Sequence, residues 1–265
     1  MSKIKRGEGM LDRESFFKKF SIEEKYFEST GLDWNELVKI HDDYTALVPS
    51  LEKLADEFTF KLIDTNGVHS VRRRVKKPAH LIEKIIRKGK KYVDRNISAE
   101  NYKEIVTDLI GVRILHLFKD DWIHIHNEIL KFWEVAETPQ INIRPGDYNM
   151  ELLKESMRHL NCDIIVREHG YRSVHYLIQT QSEKGEKLFV EMQVRTVFEE
   201  AWSEIDHIIR YPYDVDNPIL SDYLSIFNRI VGSADEMGTF IKNLKPTVSK
   251  NMQSYEEREL DNKFK

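Results

Sequence analysis

A strict alternation of apolar and polar side chains in the second half of the chain constrains the fold most. Residues 188–195 read Leu-Phe-Val-Glu-Met-Gln-Val-Arg. In a β-strand the even-numbered residues, all apolar, would lie on one face, whereas Glu191, Gln193 and Arg195 would share the other. The apolar face can pack on helices, so the segment predicts one strand of a layered sheet. The polar face is either an ordinary hydrated surface or a row of groups for a metal ion, a base edge and a phosphate.

The composition bounds the class of protein. The chain has 265 residues, of which 40% are hydrophobic and 32% charged, and its formal net charge is -4. These values predict a hydrated globular protein, and the acidic balance argues against nucleic-acid binding by the whole surface. The single cysteine, Cys162, excludes an internal disulfide. The sequence has no run of 18 apolar residues and no signal-peptide core, so we expect a cytoplasmic protein without membrane contact.

Local periodicity predicts a mixed sheet flanked by helices. A helical repeat covers residues 13–63, where Asp33 is a candidate cap and Pro49 could kink or divide the helix. The predicted strands are 68–75, 111–118, 163–167, 171–180 and 187–195, the last two forming a hairpin. The predicted helices are 78–88, 98–107, 120–133, 149–160, 196–210 and 217–243. Residues 139–147 are expected to be irregular or an edge strand.

The chain is therefore expected to have an α/β (α+β) fold with helical extensions at both ends. Residues 1–60 would form a helical N-terminal segment that begins with a flexible leader, residues 1–11. Residues 61–245 would form the main domain. Residues 246–265 would be a polar, frayed tail. Gly89 is expected to end the helix that begins at Pro78.

A basic cluster begins in the first predicted strand. Residues 72–77 read Arg-Arg-Arg-Val-Lys-Lys, and they are followed by Lys84, Arg87, Lys88, Lys90 and Lys91. Lys84 and Lys88 are four residues apart and share a helix face. Arginine offers bidentate contacts and lysine a point charge, and both suit a polyphosphate. A hydrated basic helix and a nucleic-acid surface fit this pattern equally well.

An acid precedes the buried strand predicted at 111–118. The segment from Asp108 to Arg113 reads Asp-Leu-Ile-Gly-Val-Arg. A carboxylate at a strand end can bind Mg²⁺, which favours one or two carboxylates plus substrate phosphates. Gly111 would allow backbone or ligand to approach closely. An ordinary helix-to-strand turn has the same pattern.

The segment Gly-Tyr-Arg-Ser-Val-His, residues 170–175, places an aromatic ring beside cationic groups. Gly170 permits a turn, and Tyr171 offers a flat face on which a base can stack. Arg172 and His175 add hydrogen-bonding groups. A tyrosine at an ordinary strand start is the alternative.

The helix predicted at 196–210 has two kinds of face. Its polar face carries Glu200, Glu204, His207 and Tyr211. Its apolar face is expected to pack on the sheet and comprises Val197, Ala201, Ile205 and Ile208, with Trp202 as a further core residue. Two acids and a histidine can support a metal or tune a base, or they can simply be hydrated.

Taken together, these segments resemble the synthetase domain of the RelA/SpoT alarmone family. The matching segments, in the family's order, are Arg74-Val-Lys76 with Lys84, Asp108-Leu-Ile-Gly-Val-Arg113, Gly-Tyr-Arg-Ser-Val-His175, Glu-Met-Gln-Val-Arg-Thr196 and Ala-Trp-Ser-Glu-Ile-Asp-His207. The resemblance implies a nucleotidyltransferase-like fold. It also implies a pyrophosphokinase that moves the β,γ-diphosphate of ATP to the ribose 3′-hydroxyl of GDP or GTP, with Mg²⁺ as cofactor.

The resemblance implies a role for each matched residue. Asp108 and Glu191 would hold Mg²⁺, and Glu191 would also activate the 3′-hydroxyl. Tyr171 would stack on the acceptor guanine. The ATP donor would be bound by Arg74, Lys76, Lys84, Arg87 and Arg113, and the acceptor side would include His175, Gln193 and Arg195. Glu204 and His207 would lie nearby without an assigned role.

The chain also departs from the family's pattern. His80 stands where many relatives have a small hydroxyl residue, which leaves the adenine contact open. The stretch before the matching region is too short for the hydrolase domain of long relatives. We therefore expect a small single-domain synthetase without hydrolase activity or C-terminal regulatory domains.

Two other functions stay open on the sequence. Toxic small relatives modify the 3′-hydroxyl of adenine nucleotides or of the tRNA 3′ end, and the basic run could serve tRNA. A non-catalytic module that binds nucleotides or RNA is the third reading, against which the retained Asp108 and Glu191 argue. The oligomeric state, an antitoxin or other regulator, and allosteric ligands are left open, although relatives of this size are often homo-oligomers.

Overall fold

The structure, a computed structural model, describes residues 11–146, 150–168, 170–210 and 217–263. In chain order its helices and strands are α1 (Arg13–Phe20), α2 (Glu24–Thr30), α3 (Trp34–Ile63), β1 (Val68–Val75), α4 (Pro78–Arg87), α5 (Gly89–Val93), α6 (Tyr102–Ile105), β2 (Ile110–His116), α7 (Trp122–Phe132), β3 (Gln140–Ile143), α8 (Met150–Met157), β4 (Asp163–Val166), β5 (Ser173–Gln181), β6 (Lys187–Thr196), α9 (Val197–Arg210) and α10 (Pro218–Lys263). Most of the predicted leader and Tyr211 lie outside the described residues.

The six strands form one mixed sheet in the order β1-β2-β6-β5-β3-β4. Strand β3 runs antiparallel to β5 and parallel to β4. Strands β5 and β6 are neighbours joined by residues 182–186, so they form the predicted hairpin. The predicted fold class, a mixed sheet flanked by helices, is confirmed. No helix in the described part of the chain is long and apolar enough to span a membrane.

The alternation in β6 has the expected consequence. Its apolar row is buried, with Leu188, Val190, Met192 and Val194 each at most 1% exposed. Glu191 and Gln193 are half-buried on the other face. Arg195, however, is buried rather than hydrated, and it contacts Tyr171, Gln193 and Glu200. The polar face is therefore a packed cluster and not an ordinary wet surface.

The chain divides into two compact units, each made of three stretches. One comprises Met1–Phe58, Arg73–Val112 and Leu177–Glu191, and the other comprises Thr59–Arg72, Arg113–Tyr176 and Met192–Lys265. The core of the first unit includes the buried faces of α3 and α4, namely Leu37, Ile40, Tyr44, Leu51, Leu81, Ile82, Ile85 and Ile86. The core of the second includes Ile114, Ile125, Ile129, Val194, Trp202, Leu224 and Val231.

Helix α3 begins and ends as predicted. The side chain of Asp33 caps it, since its Oδ1 accepts a hydrogen bond from the backbone N–H of Asn35 at 3.1 Å. Helix α3 ends at Ile63, before the predicted Asp-Thr-Asn-Gly stop. Pro49 lies inside this helix without dividing it. The helical period of the apolar residues therefore outweighs the single backbone hydrogen bond that proline removes.

Gly89 does not end the helical stretch that begins at Pro78. Helix α4 ends at Arg87, and Gly89 is the first residue of α5. A Cβ atom at Gly89 would lie only 2.5 Å from the Cβ of Thr30. Close packing against α2, rather than helix termination, therefore requires glycine at this position.

Three other predicted elements differ from the structure. Helix α6 spans only Tyr102–Ile105, shorter than the predicted 98–107. Strand β3 lies inside the sheet between β5 and β4, so the irregular or edge structure expected there is wrong. Helix α10 continues through Pro246 to Lys263, where a frayed tail was expected. Four-residue elements are too short to show a period, and the tail keeps strong helix formers after Pro246.

Candidate active site

Two lysines and one aspartate meet in the first unit. The Nζ atoms of Lys76 and Lys84 lie 3.1 Å and 2.5 Å from Oδ2 of Asp108. The three side chains are half-buried, with exposed fractions of 14%, 15% and 24%. The other carboxylate oxygen of Asp108, Oδ1, is buried and accepts no hydrogen bond from the described residues. The structure thus brings together three of the predicted donor and metal residues and leaves one oxygen available to a further ligand.

The backbone around Lys76 is held from two sides. The hydroxyl of Tyr44 on α3 donates to the carbonyl of Lys76 at 2.7 Å, and the N–H of Lys76 donates to the carbonyl of Leu109 at 2.9 Å. Lys84 follows on α4, which Pro78 starts at its first position, where proline costs no hydrogen bond. The end of β1, the start of α4 and the loop before β2 therefore fix this cluster.

The electrostatics of the cluster keep Asp108 ionised. Burial alone would raise the pKa of Asp108, but the ammonium groups of Lys76 and Lys84 outweigh burial and lower it below its usual value. The pKa of Lys76 is also lowered, because burial and the neighbouring Lys84 outweigh the attraction of Asp108. The two shifts disagree about this ion pair, because a strong pair would raise the pKa of Lys76. The geometry supports the lowered pKa of Asp108, since two ammonium nitrogens lie within 3.1 Å of its Oδ2.

The other predicted donor residues of this unit have separate surroundings. Arg74 is exposed on β1. Arg87 is exposed too, and its guanidinium pairs with Glu83 at 2.7 Å. The ring of His80 packs edge-on against Phe20, with ring centroids 5.5 Å apart. The roles of Arg74 and Arg87 towards ATP stay predictions.

The predicted second metal ligand, Glu191, lies half-buried on β6. Strand β6 is the neighbour of β2, the strand that Asp108 precedes by two residues. No group of three or more His, Cys, Asp and Glu side chains is arranged to hold a metal ion in the described part of the chain. Mg²⁺ needs only one or two carboxylates when phosphates complete its shell. The unpaired, buried Oδ1 of Asp108 fits such a role, and a shared ion between Asp108 and Glu191 stays a prediction.

A second cluster, in the second unit, is built around Tyr171. Its hydroxyl lies 2.8 Å from Nε2 of His175 and accepts a hydrogen bond from Nη2 of Arg195 at 3.1 Å. The guanidinium carbon of Arg195 also lies 5.3 Å from the centre of the Tyr171 ring. Gln193 accepts a further hydrogen bond from Arg195. The structure therefore brings together all four residues predicted on the acceptor side.

The protonation of His175 follows from these surroundings. Burial, together with the nearby cations Arg195 and Arg167, lowers the pKa of His175 to about 4. The ring is neutral at physiological pH, so Nε2 can accept from the Tyr171 hydroxyl when Nδ1 carries the proton. The hydroxyl then donates to His175 and accepts from Arg195, which fixes the tyrosine in one orientation.

The turn before Tyr171 requires glycine. Gly170 has φ +80, and a Cβ there would lie 2.8 Å from Oδ1 of Asn228. Asn228, on α10, donates from Nδ2 to the carbonyl of Gly170 at 3.0 Å and accepts from Arg172 at 3.0 Å. Arg172 also pairs with Glu199 at 2.9 Å. This buried network holds the Tyr171 turn against α10 and α9, and nothing in the sequence pattern indicates it.

Helix α9 buries a different face from the one predicted. Glu199, Glu200 and Trp202 are buried, whereas Ile205 is 39% and Ile208 70% exposed. The prediction that Val197, Ala201, Ile205 and Ile208 pack on the sheet is therefore wrong, although Trp202 is a core residue as expected. The reason is electrostatic, because arginines surround the acids and make their burial acceptable.

Glu200 is the centre of a third cluster, which the sequence placed on a helix face without a role. Its Oε1 accepts from Nη1 of Arg113 at 3.0 Å, and Oε2 lies 3.3 Å from Nη1 of Arg195. The Arg195 contact has ion-pair distance but not hydrogen-bond alignment, since neither atom has a hydrogen-bond partner in the described part of the chain. Nη1 of Arg72 lies 3.7 Å from Oε1. The sequence motifs had named Arg113 and Arg195, and the spacing of Glu200 and Glu204 was the signal from α9.

Glu204 lies in this cluster, whereas His207, on the next turn of α9, is an exposed residue. Glu204 accepts a hydrogen bond from Arg113, and this bond lowers the pKa of Glu204. Two carboxylates of α9 thus hold Arg113. The resemblance had assigned Arg113 to the binding of the ATP donor. Its role towards ATP stays a prediction.

Each unit offers one kind of binding chemistry. In the first unit, lysines contact a carboxylate, a combination that suits a polyphosphate and its metal ion. In the second unit, an arginine and a histidine contact an aromatic ring on which a base can stack. The family model described as "Region found in RelA / SpoT proteins" matches residues 73–216, more than half of the chain. The chain therefore belongs to the RelA/SpoT family, as the sequence motifs indicated.

Relatives and solved structures agree with this assignment. The chain is 26% identical to the GTP pyrophosphokinase YwaC of Bacillus subtilis over 223 residues, which cover 79% of this chain and 90% of YwaC. It is 31% identical to the GTP pyrophosphokinase YjbM of the same organism over 158 residues, covering 58% of this chain and 62% of YjbM.

The fold is similar to that of small alarmone synthetase 1 from Bacillus subtilis bound to its product pppGpp. The TM-score is 0.54 at 24% identity, and the match covers 76% of this chain and 96% of that one. The GTP pyrophosphokinase family protein of Streptococcus pneumoniae matches with a TM-score of 0.54 at 21% identity, covering 78% and 95% of the two chains.

Proposed function

We propose that this protein is a GTP pyrophosphokinase, which transfers the β,γ-diphosphate of ATP to the 3′-hydroxyl of GDP or GTP and so makes (p)ppGpp. The observation that carries the proposal is the ion-pair cluster of Lys76, Lys84 and Asp108, with its one unpaired carboxylate oxygen. Two relatives named GTP pyrophosphokinases support it, one of which aligns over most of both chains.

The donor side needs positive charge close to the phosphates. Lys76 and Lys84 would exchange their contact with Asp108 for the β- and γ-phosphates of ATP, with Arg74 and Arg87 closing from the exposed side. Asp108 would then lose its two lysine partners and be free to bind a metal cation. Because the lysines and the aspartate exchange partners together, the exchange costs less free energy than burying either charge without a partner.

The acceptor side needs a base platform and an oriented hydroxyl. Tyr171 would stack on the guanine, and Arg195, Gln193 and His175 would hold the ring and line the site. Glu191 would accept the proton of the 3′-hydroxyl while the oxygen of that hydroxyl bonds to the β-phosphorus of ATP. The bond from that phosphorus to the α,β-bridging oxygen breaks, and AMP leaves.

Mg²⁺, when bound by Asp108 and Glu191, would neutralise the charge that builds up on the transferred phosphates. The fit rests on this chain's own atoms, namely a carboxylate kept ionised by two lysines and its unpaired oxygen. The remaining ligands of the ion would be phosphate oxygens and water, in keeping with its preference for few protein ligands.

A labelled-phosphate assay tests the proposal. The protein is incubated with Mg²⁺, γ-labelled ATP and one acceptor at a time, namely GDP, GTP, AMP or deacylated tRNA. We expect label on GDP and GTP. Label on tRNA alone would overturn the proposal in favour of tRNA modification, for which the exposed cations Lys77, Lys88, Lys90 and Lys91 offer a surface. No label on any acceptor would favour a nucleotide-binding module.

We also propose that the protein self-associates through α10. Its outer face leaves large apolar side chains in solvent, namely Ile219, Tyr223, Ile226, Ile230, Met237, Phe240 and Ile241, each more than half exposed. A second copy of this helix is the simplest apolar partner of matching length. Light scattering after size exclusion should give a mass above 31.5 kDa, and a monomeric mass at micromolar concentration would refute self-association.

A further inference from the structure

Glu200 gathers arginines from three neighbouring strands. Arg72 comes from β1, Arg113 from β2 and Arg195 from β6, and these strands are consecutive in the sheet. All three guanidinium groups lie within 3.7 Å of one carboxylate, whose side chain is 6% exposed. Such convergence on one buried acid needs an explanation, because a single carboxylate balances only one of the three positive charges.

The contacts differ in what each arginine could do without Glu200. Arg113 has a second carboxylate partner in Glu204. Arg72 is 66% exposed and can be hydrated. The side chain of Arg195 is only 2% exposed, and it pairs with the carboxylate of Glu200. Loss of the Glu200 charge should therefore affect Arg195 most.

Arg195 transmits the position of Glu200 to the acceptor platform. One of its terminal nitrogens, Nη1, faces Glu200, and the other, Nη2, donates to the Tyr171 hydroxyl at 3.1 Å. Tyr171 continues to His175 at 2.8 Å. The chain Glu200–Arg195–Tyr171–His175 thus runs from the first turn of α9 to the ring on which a guanine would stack.

We propose that Glu200 is a positioning residue for the acceptor nucleotide. It holds the Arg195 guanidinium in the orientation that fixes the Tyr171 ring, and it does so without touching the nucleotide itself. The inference rests on the proposed function of Tyr171 and Arg195. It also explains why α9 buries an acidic turn while Ile205 and Ile208 face solvent.

Replacing Glu200 by glutamine tests the inference, because Glu200→Gln keeps the shape and removes the charge. We expect the KM for GDP to rise about tenfold, while the KM for ATP changes less than about threefold. Asp121→Asn is the matched control. It neutralises another largely buried acid of the same unit, which pairs with Lys242 and not with the acceptor cluster, so it should leave the KM for GDP unchanged.

A double-mutant cycle shows whether Glu200 acts through Arg195. If it does, Glu200→Gln should raise the KM for GDP no further in an Arg195→Lys background. Additive effects would overturn the proposal. An equal rise in both KM values, matched by Asp121→Asn, would also overturn it, because that pattern indicates a general loss of structure. Should Glu200→Gln fail to fold, Glu200→Asp keeps the charge and shortens the reach, and it should give the same split between the two KM values.

A crystal structure of Glu200→Gln separates this inference from the proposed function. We expect the Arg195–Tyr171 hydrogen bond to be lost in the variant and kept in the wild type. If the wild-type protein transfers diphosphate to no acceptor, the proposed function fails, yet this structural readout still decides whether Glu200 orients Arg195. A variant that keeps the Arg195–Tyr171 contact refutes the positioning role.

Discussion

Two acidic regions of the molecule hold their carboxylates in opposite ways. Before β2, Asp108 contacts two lysines, and their charges lower its pKa despite burial. At the start of α9, burial raises the pKa of Glu199 to about 7, although Arg172 lies 2.9 Å away. Asp235, which faces this region from α10, has its pKa raised to about 6 by burial.

The difference shows that cations and exposure decide what an acid can do. Asp108 has two cationic partners and keeps 24% of its side chain exposed, so it stays an ionised ligand at neutral pH. Asp235 is fully buried, and its Oδ2 accepts a hydrogen bond from the hydroxyl of Thr196 at 2.8 Å. Glu199 and Asp235 have pKa values that burial raises towards neutrality, so they cannot offer a dependable charge to a metal ion.

The largest expected effect is at Asp108. Asp108→Asn should lower kcat for diphosphate transfer by about a thousandfold, because it removes the carboxylate predicted to bind Mg²⁺. Asp43→Asn is the matched control, since Asp43 also pairs with a lysine, Lys103 at 3.1 Å, but lies outside the proposed site. Steady-state transfer assays with thermal melts of both variants measure this. Near wild-type turnover of Asp108→Asn would show that the metal site is wrongly placed.

The next effect is at Tyr171. Tyr171→Ala should raise the KM for GDP about 30-fold, as expected for the loss of about 2 kcal/mol of base stacking. Tyr171→Phe keeps the ring and loses only the contacts of the hydroxyl with His175 and Arg195, so its effect should be clearly smaller. Initial-rate kinetics over a range of GDP concentrations separate the two. An unchanged KM in Tyr171→Ala would remove the stacking role.

The buried carboxyl of Asp235 should make the stability of the fold depend on pH. A raised pKa in the folded state means that Asp235 stabilises the fold fully below its unfolded pKa of 3.8 and loses this contribution as pH rises to about 6. Asp235→Asn cannot ionise. The variant should therefore gain about 1–2 kcal/mol of unfolding free energy relative to wild type between pH 4 and pH 7.

Urea unfolding of both proteins across that pH range measures the difference. Thr196→Val is a useful companion, since it removes the hydroxyl that donates to Asp235 and leaves the acid in place. A stability difference between wild type and Asp235→Asn that does not change with pH would show that the folded pKa of Asp235 does not lie near 6.

The smallest effect is expected at the lysine pair. Lys84→Ala should raise the KM for ATP about tenfold, because one of the two cations on the donor phosphates is lost while Lys76 remains. Lys91→Ala removes an equally charged but exposed lysine of α5 and should leave this KM unchanged. Equal effects of the two variants would indicate a diffuse electrostatic field and not a specific phosphate contact.

Much of the fold could be predicted from local pattern. Strand β1 has the predicted bounds, and β6 buries its predicted row, because side-chain alternation is a property of the strand itself. The interior place of β3 could not be predicted, since four residues carry no readable period. Gly89 was misread because its neighbour Thr30 is distant in sequence and close only in space.

The candidate site, like the fold, could be predicted only in part from the sequence. The sequence motifs named Asp108, Lys84, Tyr171 and Arg195 in separate segments, and the structure brings Asp108 to Lys84 and Tyr171 to Arg195. Arg172 was part of a motif, but its partners Glu199 and Asn228 belong to no motif pattern that links them to it, so sequence reasoning missed this network.

The order of residues along the chain determined the helices, the strands and the family to which the protein belongs, because periodicity and motif spacing are local properties. Only the tertiary structure decided which face of α9 is buried and which acids stay ionised. Those outcomes depend on how many cations surround each carboxylate, and Arg72, Arg113 and Arg195 reach Glu200 from strands that the sequence keeps far apart.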